Sequence, residues 1–268
     1  MALLWHGAAD RHRGPGPKPG LSVDAIVDAA IAVADADGTE ALSMRAVGQR
    51  LGRTAMALYT YVPSKRELLD LMYDRAIAEL PGDDDLAAGW RAAATLWAER
   101  LWAFYLRHPW VLQVSPARPV LGPNEYAVLE ALVRILRASG LEPPVLRRAV
   151  GTLFSFVRGP VQTVADARRA PAATGASEED WWSTRSAQLL EVAPDFAERF
   201  PATVWLERAG ATATDCPDER LPHLEREGTA TFRAGLAMLL DGVEAAVAGQ
   251  AAAPSARPRR RPPARVDG

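Results

Sequence analysis

The chain has a single cysteine among 268 residues, Cys216. One thiol excludes an internal disulfide framework and any cysteine-rich zinc site, and it fits a reducing compartment. Its setting, TDCPDE, lacks the basic neighbours that would activate it as a redox sensor. Excess charge is lacking too: the formal net charge is -2 and the sequence pI about 6.1. That does not exclude a nucleic-acid partner, because only the contacting face must meet phosphate. No run approaches the roughly 18 continuous apolar residues of a membrane span, and the apolar start is too short for a secretory signal. No membrane partner is therefore expected, and the expected location is cytoplasmic. The four histidines (6, 12, 108 and 223) are scattered, with no glycine-rich phosphate loop or nucleophile elbow. The acidic run 83–85 lies in a Pro-Gly break, where charge is ordinarily solvated. These absences predict no catalytic residue, no metal site and no cofactor.

Strand alternation is also scarce, and helical periodicity takes its place. The expected fold class is all-α, with a three-helix head carrying a helix–turn–helix. A fourth helix joins that head to a larger helical bundle. Ser22 is placed to cap a first helix whose apolar stripe is Val23, Ile26, Val27, Ala30, Ile31 and Ala34, stopped at Asp37-Gly38. Ser43 opens a second helix burying Met44 and Val47. Gly52 makes a turn, and 54–61 forms a third helix too short to stand without packing by Leu58. Ser64-Lys65-Arg66-Glu67 reads as a capping box that starts the fourth helix.

The domains expected are a flexible arm over 1–20, a DNA-binding domain over 21–80, a helical body over 86–248 and a disordered Pro/Arg-rich tail over 249–268. In the body, helices are predicted over 87–107, 124–138 and 144–169, the last kinked at Pro160. A loop at 170–179, shorter helices near 180–192 and 195–208, and a final helix over 219–248 follow. The stripe of the 124–138 helix is read as Tyr126, Leu129, Leu132, Val133 and Leu136.

A helix–turn–helix reads DNA with the outward side chains of its second helix. Here those are Thr54, Ala55, Met56 and Thr60, small or apolar groups suited to thymine methyls and single hydrogen bonds. Arg45, opening the preceding helix, has the forked donors to reach guanine. Arg53, Tyr59, Tyr61, Lys65 and the helix start at Ser64 suit phosphates.

The stretch LSMRAVGQRLGRTAMALYTYVPSKRELLDLM resembles the head of the TetR family of bacterial transcriptional regulators. The likeness rests on Leu51-Gly52, then Leu58-Tyr59-x-Tyr61-Val62, then Ser64-Lys65 before Glu67-Leu68-Leu69. The resemblance implies that Tyr59 and Lys65 contact phosphates, that Arg45 reads a base, and that Ala55, Met56 and Thr60 lie against base edges. The family's usual aromatic-His pair is Thr60-Tyr61 here, so the operator sequence does not carry over. Residues 107–110, Arg118-Pro119, and Phe232 with Gly235-Leu236 and Leu240-Asp241-Gly242 resemble the family's tetracycline-repressor-like C-terminal domain. That implies a ligand-binding body and a homodimer paired through the helices near 144–166 and 219–247. The family's drug–magnesium site takes a histidine from a stretch matching 111–116. None is present there, so no metal is expected.

The implied function is a repressor released from a palindromic operator on double-stranded DNA by a small, mostly apolar effector. Trp97, Leu101, Phe154, Val157, Arg158 and Trp181 are the candidate ligand-binding residues, since pockets in bundles open between helices. The alternative is a helical DNA-binding or scaffold protein without a small-molecule effector.

Overall fold

The computed structural model describes residues 1–6, 21–80, 86–210 and 221–252. The acidic run 83–85, Cys216, arm residues 7–20 and tail residues 253–268 lie outside the described residues.

Helix α2 (Val23–Ala41) is capped by Ser22, whose Oγ accepts from Ala25 N at 3.1 Å. Its helical path breaks at Gly38, where φ is 78° and ψ 175°. This is the stop expected at Asp37-Gly38, and a further half-turn follows it. Helices α3 (Met44–Arg50) and α4 (Ala55–Tyr59) form the helix–turn–helix, and α5 (Lys65–Ile77) leads away from it. Ile26, Val47, Leu58, Val62, Leu68 and Met72 close the head core. On its surface Arg75 of α5 pairs with Asp24 and Asp28 of α2 at 3.5 and 3.3 Å.

The body begins with α6 (Trp90–Arg107), which ends against a 3-10 turn, Pro109–Gln113. Helices α7 (Pro123–Arg137) and α8 (Pro143–Thr174) follow, and then α9 (Glu178–Val192), α10 (Phe196–Arg199) and α11 (Pro201–Gly210). The last helix, α12 (His223–Ala252), lies along α8 in the most extensive helix pairing of the described residues. Helices α6 and α7 also pack on α8, and α6 reaches α12 where Trp102 stacks on Phe232.

Four sequence expectations are corrected. Residues 2–6 are not part of a flexible arm: they form α1 (Ala2–His6), with Leu4 buried and the Trp5 indole donating to Leu121 O at 3.1 Å. Helix α8 runs through Pro160 and Pro171 past the predicted end at 169, and Gly175, with φ 72°, caps it. Helix α12 extends past 248 into the expected tail. The buried stripe of α7 is Val128, Ala131, Leu132, Ile135 and Leu136, whereas Tyr126 and Leu129 are exposed. Packing against α8 and α5 sets that face, and the sequence pattern alone admitted a neighbouring one.

Candidate nucleic-acid interface and its link to the body

Each short head helix is started by a hydroxyl. Ser43 Oγ accepts from Ala46 N at 3.1 Å, Thr54 Oγ1 from Ala57 N at 3.3 Å and Ser64 Oγ from Glu67 N at 3.1 Å. Such caps satisfy donors that a helix start leaves open. The turn between α3 and α4 is drawn tight by Arg53 N donating to Gly48 O at 2.8 Å, and Gly52 takes the left-handed φ of 64°. Leu58, fully buried, anchors α4 from within.

Arg45, Arg53, Thr54, Met56, Tyr59, Thr60, Tyr61 and Lys65 are exposed, and Ala55 is half-buried. Met56 is 75% exposed. Thr54 is partly committed to its cap, and Thr60 Oγ1 donates back to Met56 O at 3.5 Å. Residues 43–66 contain Arg45, Arg50, Arg53, Lys65 and Arg66, all exposed, and no Asp or Glu. A chain of net charge -2 therefore turns one acid-free basic face outward.

Two polar junctions tie this head to the body. In the first, Asp35 of α2 accepts from the Trp110 indole at 2.8 Å and lies 2.8 Å from His108 Nδ1. A carboxylate there requires hydrogen on Nδ1. His108 Nε2 lies 3.4 Å from Glu79 Oε1, and Arg107 pairs with Glu79. In the second, buried Asp74 of α5 accepts from Asn124 N, Asn124 Nδ2 and Glu125 N at 3.0, 2.8 and 3.0 Å. A helix of the head thus supplies the N-terminal cap for α7 of the body. Gly122 passes so close to Asp74 that a Cβ would strike its carboxylate. Glu125 Oε2 accepts from Leu121 N at 2.6 Å. Burial pushes the Glu125 carboxyl above its usual range, the Asp74 charge adds to this, and backbone N–H groups oppose it.

Beneath this junction lies a polar cluster. Burial raises the Tyr73 hydroxyl well above its ordinary value, with Glu125 next in effect. Burial likewise raises Tyr105, opposed by Arg158. Arg158 donates to Leu112 O and, at 3.1 Å, to Val114 O.

Of the candidate ligand residues, Trp97, Leu101, Phe154, Val157 and Arg158 converge where α6 packs on α8. Trp97, Leu101 and Val157 are buried, and Phe154 and Arg158 half-buried. The Trp97 and Phe154 rings meet edge-on with centroids 4.9 Å apart. Trp181 is not brought to them. It stands on α9, which has no buried residue, in edge contact with Trp182 and under the Arg185 guanidinium. Sequence reasoning missed Asp35, Asp74, Tyr73 and Tyr105. The helical period marks Tyr105 as sharing a face with Trp97 and Leu101, but nothing local to Asp35 or Asp74 signals a partner in the body.

A capped, basic helix–turn–helix mounted on a helical bundle defines a DNA-binding regulator. Residues 26–72 match the family model of bacterial regulatory proteins, tetR family, and residues 81–247 match that of the tetracyclin repressor-like C-terminal domain. The chain belongs to the TetR family of bacterial regulatory proteins. It is 36% identical over 249 residues to the HTH-type transcriptional repressor DrrR1 of Streptomyces coeruleorubidus, covering 92% of this chain and 86% of that one. An HTH-type transcriptional regulator of Saccharopolyspora erythraea is 33% identical over 144 residues, 54% of this chain and 61% of the relative. The crystal structure of ActR from Streptomyces coelicolor in complex with actinorhodin superimposes with a TM-score of 0.64 at 26% identity, covering 86% of this chain and 99% of that one. Among the described residues no helix is long and apolar enough to cross a membrane.

Proposed function

We propose that this chain is a homodimeric repressor that binds a palindromic DNA operator in the cytoplasm. A small, mostly apolar effector in the body releases it. It acts by binding and not by catalysis. The observation that carries this reading is the mounting of an acid-free basic helix–turn–helix on α5, whose buried Asp74 caps a helix of the body. A change in the body therefore has a rigid route to the DNA-reading face. The relationship to a repressor over most of both chains supports repression, and the likeness to ActR bound to actinorhodin supports a small-molecule effector.

In this reading Arg45 contacts a base, and Thr54, Ala55, Met56 and Thr60 lie against base edges. Arg53, Tyr59, Tyr61 and Lys65 hold phosphates. Helices α8 and α12 pair with those of a second copy. Their outer faces favour close approach, being built from Gly151, Thr152, Ser155 and Gly159 on α8, and Ala234 and Met238 on α12. The two heads would then sit about one DNA turn, ~34 Å, apart. Trp97, Leu101, Phe154, Val157 and Arg158 line the effector seam, and Trp181 lies outside it.

Selection from random DNA tests the reading. The expected result is one palindromic sequence, bound by a dimer and recurring upstream of this protein's own gene or a neighbour. Binding without sequence preference, or tight binding by a monomer, would sink it.

A further inference from the structure

Helices α6 and α8 meet along a seam that is apolar at one end and polar at the other. At the apolar end the Trp97 and Phe154 rings touch edge-on, their planes 89° apart. Four residues on, about 6 Å of helical rise, Arg158 leaves the same face of α8. Eight residues on from Trp97, about 12 Å of rise, Tyr105 leaves the facing side of α6, buried and close enough to Arg158 to feel its charge.

Arg158 differs from the other arginines that cross between helices. Arg75, Arg91, Arg107 and Arg168 each meet a carboxylate. No carboxylate among the described residues lies within ion-pair distance of Arg158. Its half-buried cation donates to two neutral backbone carbonyls, those of Leu112 and Val114. Partly buried charges ordinarily find an opposite charge, and a guanidinium matches a carboxylate in a forked, charge-assisted pair stronger than bonds to neutral carbonyls.

Resting on the reading of the body as an effector domain, we propose that the seam takes a planar aromatic acid of about two or three fused rings, a size set by the 6–12 Å between its ends. The rings part the Trp97–Phe154 contact, and the carboxylate pairs with Arg158. Arg158 then gives up the Leu112 and Val114 carbonyls. Those carbonyls lie in and beside the 3-10 turn that carries Trp110, which with His108 holds Asp35 of the head. The acid group is thus what reaches the head. A neutral analogue fills the seam and leaves Arg158 on the turn.

The test uses the full chain with 2-naphthoate and its neutral counterpart 2-naphthamide, titrated calorimetrically. Wild type is expected to bind the acid at least about tenfold more tightly, on the order of one charge-assisted pair. Arg158→Gln should erase the difference, and Arg158→Lys should keep part of it. In wild type the acid, and not the amide, should speed amide hydrogen exchange over 111–116, a readout that needs no variant to fold. Equal binding of both probes, a preference that survives Arg158→Gln, or unchanged exchange at 111–116 overturns the proposal and leaves an effector body of other specificity standing. Binding of neither probe overturns the aromatic-acid class. Failure of the repressor reading would show separately, as loss of sequence-selective binding to DNA without any probe.

Discussion

The indole of Trp110 donates to Asp35 Oδ1 at 2.8 Å, joining a turn of the body to the first long helix of the head. Trp110 is 1% exposed, and its N–H is met by a carboxylate that itself reaches solvent. His108, 5% exposed, leans on the same oxygen at 2.8 Å. Asp35 is thus one acceptor serving two buried ring nitrogens, and it joins the 3-10 turn to α2.

Asp35→Ala should destabilise the fold by about 1 kcal/mol, the net worth of a hydrogen bond whose place water can take. Trp110→Phe removes the donor instead, and the double variant should lose less than the sum of the two. A coupling of at least about 0.5 kcal/mol in urea melts is expected of residues in direct contact. Additive losses would mean that the bond contributes nothing to holding head against body.

On the DNA face the prediction separates affinity from selectivity. Tyr59→Phe and Lys65→Ala should weaken binding to all duplexes alike, and Lys65→Ala should lower the salt slope by about one. Arg45→Ala should cost about 1–3 kcal/mol at one base pair and relax the preference there. Binding-site selection repeated with each variant distinguishes the two patterns. An unchanged preference profile for Arg45→Ala would remove its base-reading role.

Stability should carry a pH signature of the second junction. Burial raises the Glu125 carboxyl above its ordinary value of 4.5, although it sits at a helix start and accepts backbone N–H groups that pull the other way. Burial therefore wins at this site. A carboxyl raised by folding binds its proton more readily in the native state. Its stabilising contribution is full below about pH 4.5 and is lost as pH rises through the folded value. Glu125→Gln keeps an oxygen for Leu121 N and cannot ionise. Relative to wild type, its melting temperature should be level at low pH and climb as pH rises above 4.5. A constant offset across that range would show that Glu125 ionisation is not coupled to folding.

The head was legible because its rules are local. Ser22, Ser43, Thr54 and Ser64 each announce a helix within three residues of themselves, and all four act as caps. The seam was partly legible, since Trp97, Leu101, Phe154 and Val157 follow the helical period. The junctions were not. His108 and Trp110 meet Asp35 across 73 and 75 residues, and Asp74 meets Asn124 across 50. No periodicity pairs such positions; only packing does. Trp181 was misleading for the opposite reason. An aromatic at helical spacing reads as interior, yet α9 keeps its tryptophans on the surface.

Two glycines four residues apart in the helix–turn–helix should respond differently to substitution, because they are needed for different reasons. Gly52 has φ of 64° with nothing within 4 Å of an added Cβ. It supplies a backbone angle, one that asparagine tolerates. Gly48 is ordinary helix, but a Cβ there would stand 2.7 Å from Arg53 O, a backbone atom with no room to swing aside. It supplies space, so that the chain after the turn can pass against α3 and place α4. Gly52→Asn should therefore cost no more than about 1 kcal/mol and leave DNA binding within a few-fold of wild type. Gly48→Ala must push α4 away from α3. It should cost about 1–3 kcal/mol, as overpacking does, and lower operator affinity by more than about tenfold. Thermal melts and fluorescence anisotropy on the selected operator measure both quantities. If Gly48→Ala binds DNA as wild type does, the close approach at Arg53 is not what sets the reading helix in place.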